Sequence, residues 1–286
     1  MRFMVCGSGT TTAVYVVEGE TAVNITAVDR NLGADLMPII QAGAEGLRAA
    51  RAAAEGASGV AISELTPALP VARPGKVICL GLNYVDHAKE GGFEVPDYPA
   101  LFMRGATSLL PAGAPIVRPA CSERLDYEVE LMVVIGKTGR HISREHALDH
   151  VFGYTVFNDV SVRDYQRKTH QWTPGKNFDS TGPTGPVVVT PDELPPGAAG
   201  LHIETRLNGE VMQSASTADM MFKVPETIAI LSEYSTLEAG DLIAMGTPQG
   251  VGHARRPPVW MKPGDRIEVE IENIGVCANP IVAEQV

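Results

Sequence analysis

The sequence predicts an α+β fold dominated by strands, with short helices set between them in no regular order. Three observations carry this. The 286 residues include 29 glycines and 21 prolines, a density of turn formers that suits many short strands. Apolar residues recur in short runs, several of them alternating with polar ones, as the two faces of a strand require. Helical patterns do not alternate with strands, which argues against a doubly wound sheet or an α/β barrel.

In order along the chain, residues 2–27 hold three β-like runs, FMVC, AVYVVE and AVNITAV, separated by GSGT and GET turn signals. The Ala-rich stretch from Met37 to Ala57 predicts a helix with its centre over Leu47–Glu55. SELTPALPVARPGK, with Pro67, Pro70 and Pro74, reads as a linker, so a small N-terminal domain is expected over 1–70 and a larger one over 71–286. KVICLGLNY then predicts a buried strand ending at Gly81, and DHAKE a helical turn. DYEVELMVVIG (126–136) and GYTVFNDV (153–160) predict strands. SREHALDHV (143–151) predicts a short helix capped by Ser143, and SVRDYQRK another capped by Ser161. Asn208-Gly209 between alternating segments marks a hairpin. Pro225 opens a helix in VPETIAILSEYS, and the tail returns to alternation in DLIAMGTPQGVG and DRIEVEIENIG.

Composition excludes several classes of function. With 23 basic and 34 acidic side chains, the net charge is −11, which repels phosphate backbones and anionic membranes, so neither nucleic acid nor membrane is an expected partner. No apolar run approaches the roughly 20 residues of a membrane span. Cys6, Cys79, Cys121 and Cys277 form no CxxC pair, so neither a zinc ribbon nor a disulfide framework is indicated and a cytoplasmic location is expected. GSGTTT lacks the third glycine of a dinucleotide loop, and GxxxxGK[ST] and GxSxG are both missing.

The chemistry concentrates in a few positions. On the 126–136 strand, Glu128 and Glu130 share a face with Asp126, Met132 and Val134. Alone, an acidic face is ordinarily solvated; this one continues into apolar residues. Two carboxylates about 6–7 Å apart on a buried face repel one another, and a divalent cation removes that cost. Oxygen ligands suit Mg²⁺ or Mn²⁺ better than zinc. Asp159, closing the next strand, is the natural third ligand, with Asp126 in reserve. His146 and His150 have helical i, i+4 spacing but not the HExxH order, and read as an ordinary helix pair.

His87 and Glu90 are spaced i, i+3, so on a helical turn the carboxylate can orient the imidazole as a general base. Arg163 and Gln166 have the same spacing, and Lys176 sits in a Gly/Pro-framed segment. Three carboxylates around one divalent ion leave a site that needs such cations to hold an anionic substrate.

Together these motifs resemble the fumarylacetoacetate hydrolase (FAH) family, in particular its smaller bacterial-type members. The resembling segments are GLNYVDHAKE (81–90), DYEVELMVVIG (126–136), GYTVFNDVSVRDYQ (153–166), GKNFDSTGPTGP (175–186), STADMMF (216–222) and GTPQGVG (246–252). They fall in the family's order over roughly 76–282, and the first 70 residues match only as a small leader. The resemblance implies a mixed β-sheet roll binding Mg²⁺ or Mn²⁺, usually in a homodimer. It places metal carboxylates at Glu128, Glu130 and Asp159, a lid dyad at His87 and Glu90, and the active-site lysine at Lys176. Substrate contacts fall on Arg163, Gln166 and Thr247.

The implied activity is hydrolysis of a carbon–carbon bond in a 2,4-dioxo acid, such as an acylpyruvate, fumarylpyruvate or a diketo-deoxy sugar acid, through a metal-stabilised enolate. A lyase or isomerase of the same family, acting on oxaloacetate or a hydroxydienedioate, shares the metal site and is the alternative. A non-catalytic divalent-metal binding protein is the third reading. Residues 90–100, EGGFEVPDYPA, are expected to form a mobile loop that helps choose the substrate.

Overall fold

The computed structural model describes residues 1–8, 11–90 and 97–285, so the expected specificity loop lies outside the described residues over 91–96. The larger sheet follows the order Val60–Ala61, Thr21–Asn24, Thr11–Glu18, Arg2–Ser8, Val187–Val189, Val151–Asn158, Val129–Ile135, Leu242–Ala244, Val77–Gly81 and Ala100–Met103. Most neighbours are antiparallel, but Leu242–Ala244 runs parallel to Val77–Gly81. A second sheet runs Glu210–Ser216, His202–Leu207, Arg266–Ile271, Gly275–Ala283 and Ile116–Arg118, the last pair parallel. The fold is thus a mixed, strand-rich α+β architecture, as the turn-former density predicts. No helix among the described residues is long and apolar enough to cross a membrane.

Val129–Ile135 is the strand on which both cores rest. Its alternate residues Val129, Leu131, Val133 and Ile135 pack with Tyr154, Val156, Ile228 and Leu231. Met132 and Val134 face the opposite way, into a core with Phe3, Val77, Cys79 and Phe157. Both faces are dry, so the acidic face of this strand is not solvated. The N-terminal strand Arg2–Ser8 pairs with Val187–Val189, which carries Phe3 and Val5 into the second of these cores.

Several elements differ locally from their sequence patterns. The Ala-rich helix divides into Met37–Ala42 and Ala44–Ala54 at Gly43, whose φ of 56° breaks the helical ladder. Thr21–Asn24 ends early because the Asn24 side chain accepts from Ala27 N and starts a helical turn, Ile25–Val28. Arg144–His150 is a 3₁₀ helix rather than an α-helix. Ser161 belongs to the short strand Ser161–Val162 and does not cap the turn Arg163–Gln166; its hydroxyl donates to Asp159 O. The hairpin His202–Leu207/Glu210–Ser216 and the helix Val224–Tyr234 stand where the sequence places them.

Residues 126–136 are not one continuous strand. Leu125–Asp126 pairs with Ser161–Val162 in a separate two-stranded sheet, and the large-sheet strand begins only at Val129. That break turns Asp126 away from Glu128 and Glu130.

Candidate active site

The register of the two central strands assembles the carboxylates. Val129 faces Asn158, so one step outward Glu128 lies opposite Asp159, and Asp159 N donates to Glu128 O at 2.9 Å. Asn158 Oδ1 accepts from Glu128 N at 3.0 Å and fixes this strand end. Glu130 projects on the same side two residues along. Carboxylate oxygens of Glu128, Glu130 and Asp159 all lie within 4.8 Å of one another, and all three residues are buried.

Cations hold two of these acids. Lys176 Nζ donates to Glu128 Oε2 at 2.6 Å and to Asp159 Oδ2 at 2.7 Å. Arg163 Nη2 stands 2.7 Å from Glu128 Oε1, and Arg104 Nη1 donates to Asp159 Oδ1. Burial opposes the charge on Glu128, but Lys176 and Arg163 outweigh it and hold the carboxyl below its usual range. Lys176 shows the reciprocal effect: burial works against its ammonium, and Asp159 with Glu128 raises it above its ordinary value. Lys176 reaches this position on the turn Thr173–Lys176, which lies against Arg163–Gln166. A Cβ on Gly175 would stand 2.4 Å from Gln166 N, so only glycine permits that approach.

Glu130 is different. Its Oε2 accepts from Gly246 N at 2.8 Å, and among the described residues no ion pair reaches it. Burial, then the nearby Asp159 and Glu128 charges, push its carboxyl well above the ordinary range. A hard divalent cation fits this donor set, since it supplies the counter-charge Glu130 lacks and takes oxygen ligands. Asp126, the reserve ligand in the sequence reading, is not part of the trio. Its oxygens accept from Tyr127 N, Gly252 N, His253 N and Arg163 Nε instead.

Glu128 and Glu130 of the trio open on a cavity of about 80 Å³ that His87, Arg163, Gln166, Lys176 and Thr247 also line, among others, while Asp159 lies buried behind them. Eight of the nine residues selected from the sequence thus meet at or beside one space; the ninth, Glu90, braces it. His87 Nδ1 is 3.5 Å from Glu90 Oε2, a contact with no formed hydrogen bond, and the Glu90 carboxylate accepts from Gly250 N at 3.1 Å. Arg163 Nη1 donates to Gln166 Oε1 at 3.0 Å, and Thr247 Oγ1 accepts from Gln213 Nε2 at 2.8 Å. Phe102 and Trp172 supply an apolar wall, edge to face at 5.7 Å. His146 and His150 lie elsewhere, bonded to Asp149 and to Lys137 O.

The chain is similar to known proteins in sequence and in fold. Residues 76–282 match the family described as Fumarylacetoacetate (FAA) hydrolase C-terminal. The chain belongs to the fumarylacetoacetate hydrolase family. It is 43% identical over 267 residues to a mitochondrial oxaloacetate tautomerase of Homo sapiens, covering 92% of this chain and 85% of that protein. An oxaloacetate tautomerase of Bacillus subtilis is 45% identical over 225 residues, covering 77% and 74%. Among solved structures, maleylpyruvate hydrolase from Sphingobium sp., in complex with manganese(II) and pyruvate, superposes with a TM-score of 0.83 at 32% identity over the whole of both chains.

Two residues of this FAH-family site escape a sequence reading. Arg104 follows the strand Ala100–Met103 and is fully buried against Asp159, Ser108 and Thr181. Its only signal is a charged residue directly after an apolar strand, which is too common to single out. His253 lines the cavity from the 3₁₀ turn Gly252–Ala254 at the end of GTPQGVG, where no spacing ties it to another polar group.

Proposed function

We propose that the protein is a divalent-metal-dependent enzyme that interconverts the enol and keto forms of a small 2-oxo acid, with oxaloacetate as the first candidate. The carrying observation is the buried trio Glu128, Glu130 and Asp159, with no ion pair to Glu130 among the described residues, set against a cavity that Lys176 and His87 also line. Glu128, Glu130 and Asp159 would hold Mg²⁺ or Mn²⁺, which when bound would supply Lewis-acid chemistry at the 2-oxo end of the substrate. Lys176, held by Glu128 and Asp159, adds fixed positive charge at the cavity wall. His87, braced by Glu90, transfers the proton at C3. Ketonisation adds a proton at C3 and releases the one on the 2-oxygen, so neither water nor net acid is consumed. Gln166 and Thr247 offer hydrogen bonds that orient the acid. The human and Bacillus subtilis oxaloacetate tautomerases described above favour this reading.

Hydrolysis of a 2,4-dioxo acid is the second reading. The same His87–Glu90 pair suits activation of a water, and the maleylpyruvate hydrolase likeness supports it. One assay separates the two. With Mg²⁺ or Mn²⁺ present, decay of the enol's ultraviolet absorbance reports ketonisation of oxaloacetate, pyruvate formation reports decarboxylation, and cleavage of acylpyruvates or fumarylpyruvate reports hydrolysis. Ketonisation should be accelerated, lost in Glu130→Ala, and slowed about 10²–10⁴-fold in His87→Ala. Wild-type protein that cleaves fumarylpyruvate but leaves ketonisation at its background rate would sink the first reading.

A further inference from the structure

The cations nearest the carboxylate trio are already committed. Arg163 directs Nε to Asp126, Nη1 to Gln166 and Nη2 to Glu128, and Lys176 is divided between Glu128 and Asp159. Both therefore already face buried carboxylates, Arg163 Nη2 as an ion-pair contact with no formed hydrogen bond. His253 lines the same cavity, its backbone N donates to Asp126 Oδ2 at 3.0 Å, and its Nδ1 lies 3.4 Å from that oxygen. Nδ1 is sealed from solvent and makes no formed hydrogen bond, so the open part of the ring is the remainder, which includes Nε2. Asp126 is wholly buried and anchors Arg163 and His253 together. The contacts run from Glu128 to Arg163 to Asp126 to His253, and His253, Arg163 and Glu128 all line the one cavity.

We propose that His253 is a specificity-determining residue whose Nε2 takes the second carboxylate of a 2-oxo dicarboxylic acid. The proposal rests on the 2-oxo acid reading and adds the residue that reads the second carboxylate. With Nδ1 facing Asp126 and Nε2 on the open side of the ring, an Nε2–H can donate to the anion while the Asp126 contacts hold the ring in place. Arg167 also lines the cavity but is exposed, so water screens its attraction.

The test uses two inert 2-oxo acids of equal chain length, 2-oxoglutarate and 2-oxovalerate, titrated calorimetrically into the Mg²⁺-loaded protein. Wild type should bind the diacid about 10-fold or more tighter than the monoacid. His253→Ala and His253→Gln should bring the two within about twofold by weakening only the diacid, and His253→Arg should restore the preference. Circular dichroism confirms that each variant folds. A preference that survives both substitutions, that never exists in wild type, or that vanishes only in Arg167→Ala overturns the proposal. Equal weakening of both acids overturns it too. Failure of the oxaloacetate assay with the diacid preference intact would instead remove the proposed reaction and leave the role of His253 standing.

Discussion

Arg104 and Asp159 form a fully buried ion pair on the carboxylate oxygen that Lys176 does not use. The guanidinium also donates to Ser108, Thr181 and the Val160 carbonyl, so Asp159 is fixed from the side opposite the cavity lysine. Replacing Arg104 by Met strands a buried carboxylate with one cation fewer, a change that costs about 3–5 kcal/mol. Added Mn²⁺ should restore part of that loss, because the ion becomes a counter-charge for Asp159. Thermal unfolding of Arg104→Met with and without Mn²⁺ measures both effects. Equal destabilisation in the two conditions would argue against Asp159 as a ligand.

Glu130 makes cation binding depend on protons. Its raised carboxyl keeps a proton at pH values where an ordinary glutamate has lost it, and a bound cation must displace that proton. Mn²⁺ binding should release a proton from this carboxyl, read by calorimetry in buffers of different ionisation enthalpy. Glu130→Gln should release none and bind at least about 10-fold more weakly. For the metal-free protein the sign follows from the raised value: this carboxyl's contribution is fully present below the ordinary value of 4.5 and falls as pH climbs toward the folded value.

Asp126 acts in the opposite direction. Burial disfavours its charge, but Arg163 and then His253 prevail and hold the carboxyl below its ordinary 3.8. Its stabilising contribution is therefore present above 3.8 and lost as pH falls through the lower folded value. Asp126→Asn should cost about 3–5 kcal/mol near neutral pH by leaving Arg163 short of a buried counter-charge. Its acid unfolding transition should also be shallower than that of wild type. Denaturant titration across pH checks both, and an unchanged acid limb would contradict the assignment.

Gly246 holds the backbone amide that meets Glu130. Its φ is +85°, and a Cβ there would stand 2.8 Å from Asn83 Cβ. Gly246→Ala should destabilise by about 1–3 kcal/mol and weaken Mn²⁺ binding at the same time, because relief of the clash moves the amide. An unfolding midpoint that drops while Mn²⁺ affinity holds would separate the strain from the site.

Much of the site is legible in the chain because its parts are local. Glu128 and Glu130 alternate on one strand, His87 and Glu90 share one helical turn, and Arg163 and Gln166 another. The strand pattern around Asp159 placed that acid at a strand end, where the register brings it opposite Glu128. Asp126 shows the limit. Its alternation with Glu128 is correct as a pattern, but the strand breaks between them and Arg163 takes the side chain elsewhere.

The sequence alone determined the strand-rich class, the family resemblance and the residues capable of the chemistry, since periodicity and short spacings record local geometry. Only the tertiary structure decided which charges meet. Arg104 lies 55 residues from Asp159 and His253 lies 127 from Asp126. No local rule links such pairs, because the distance between them is set by sheet order and by the burial that makes each lone charge costly.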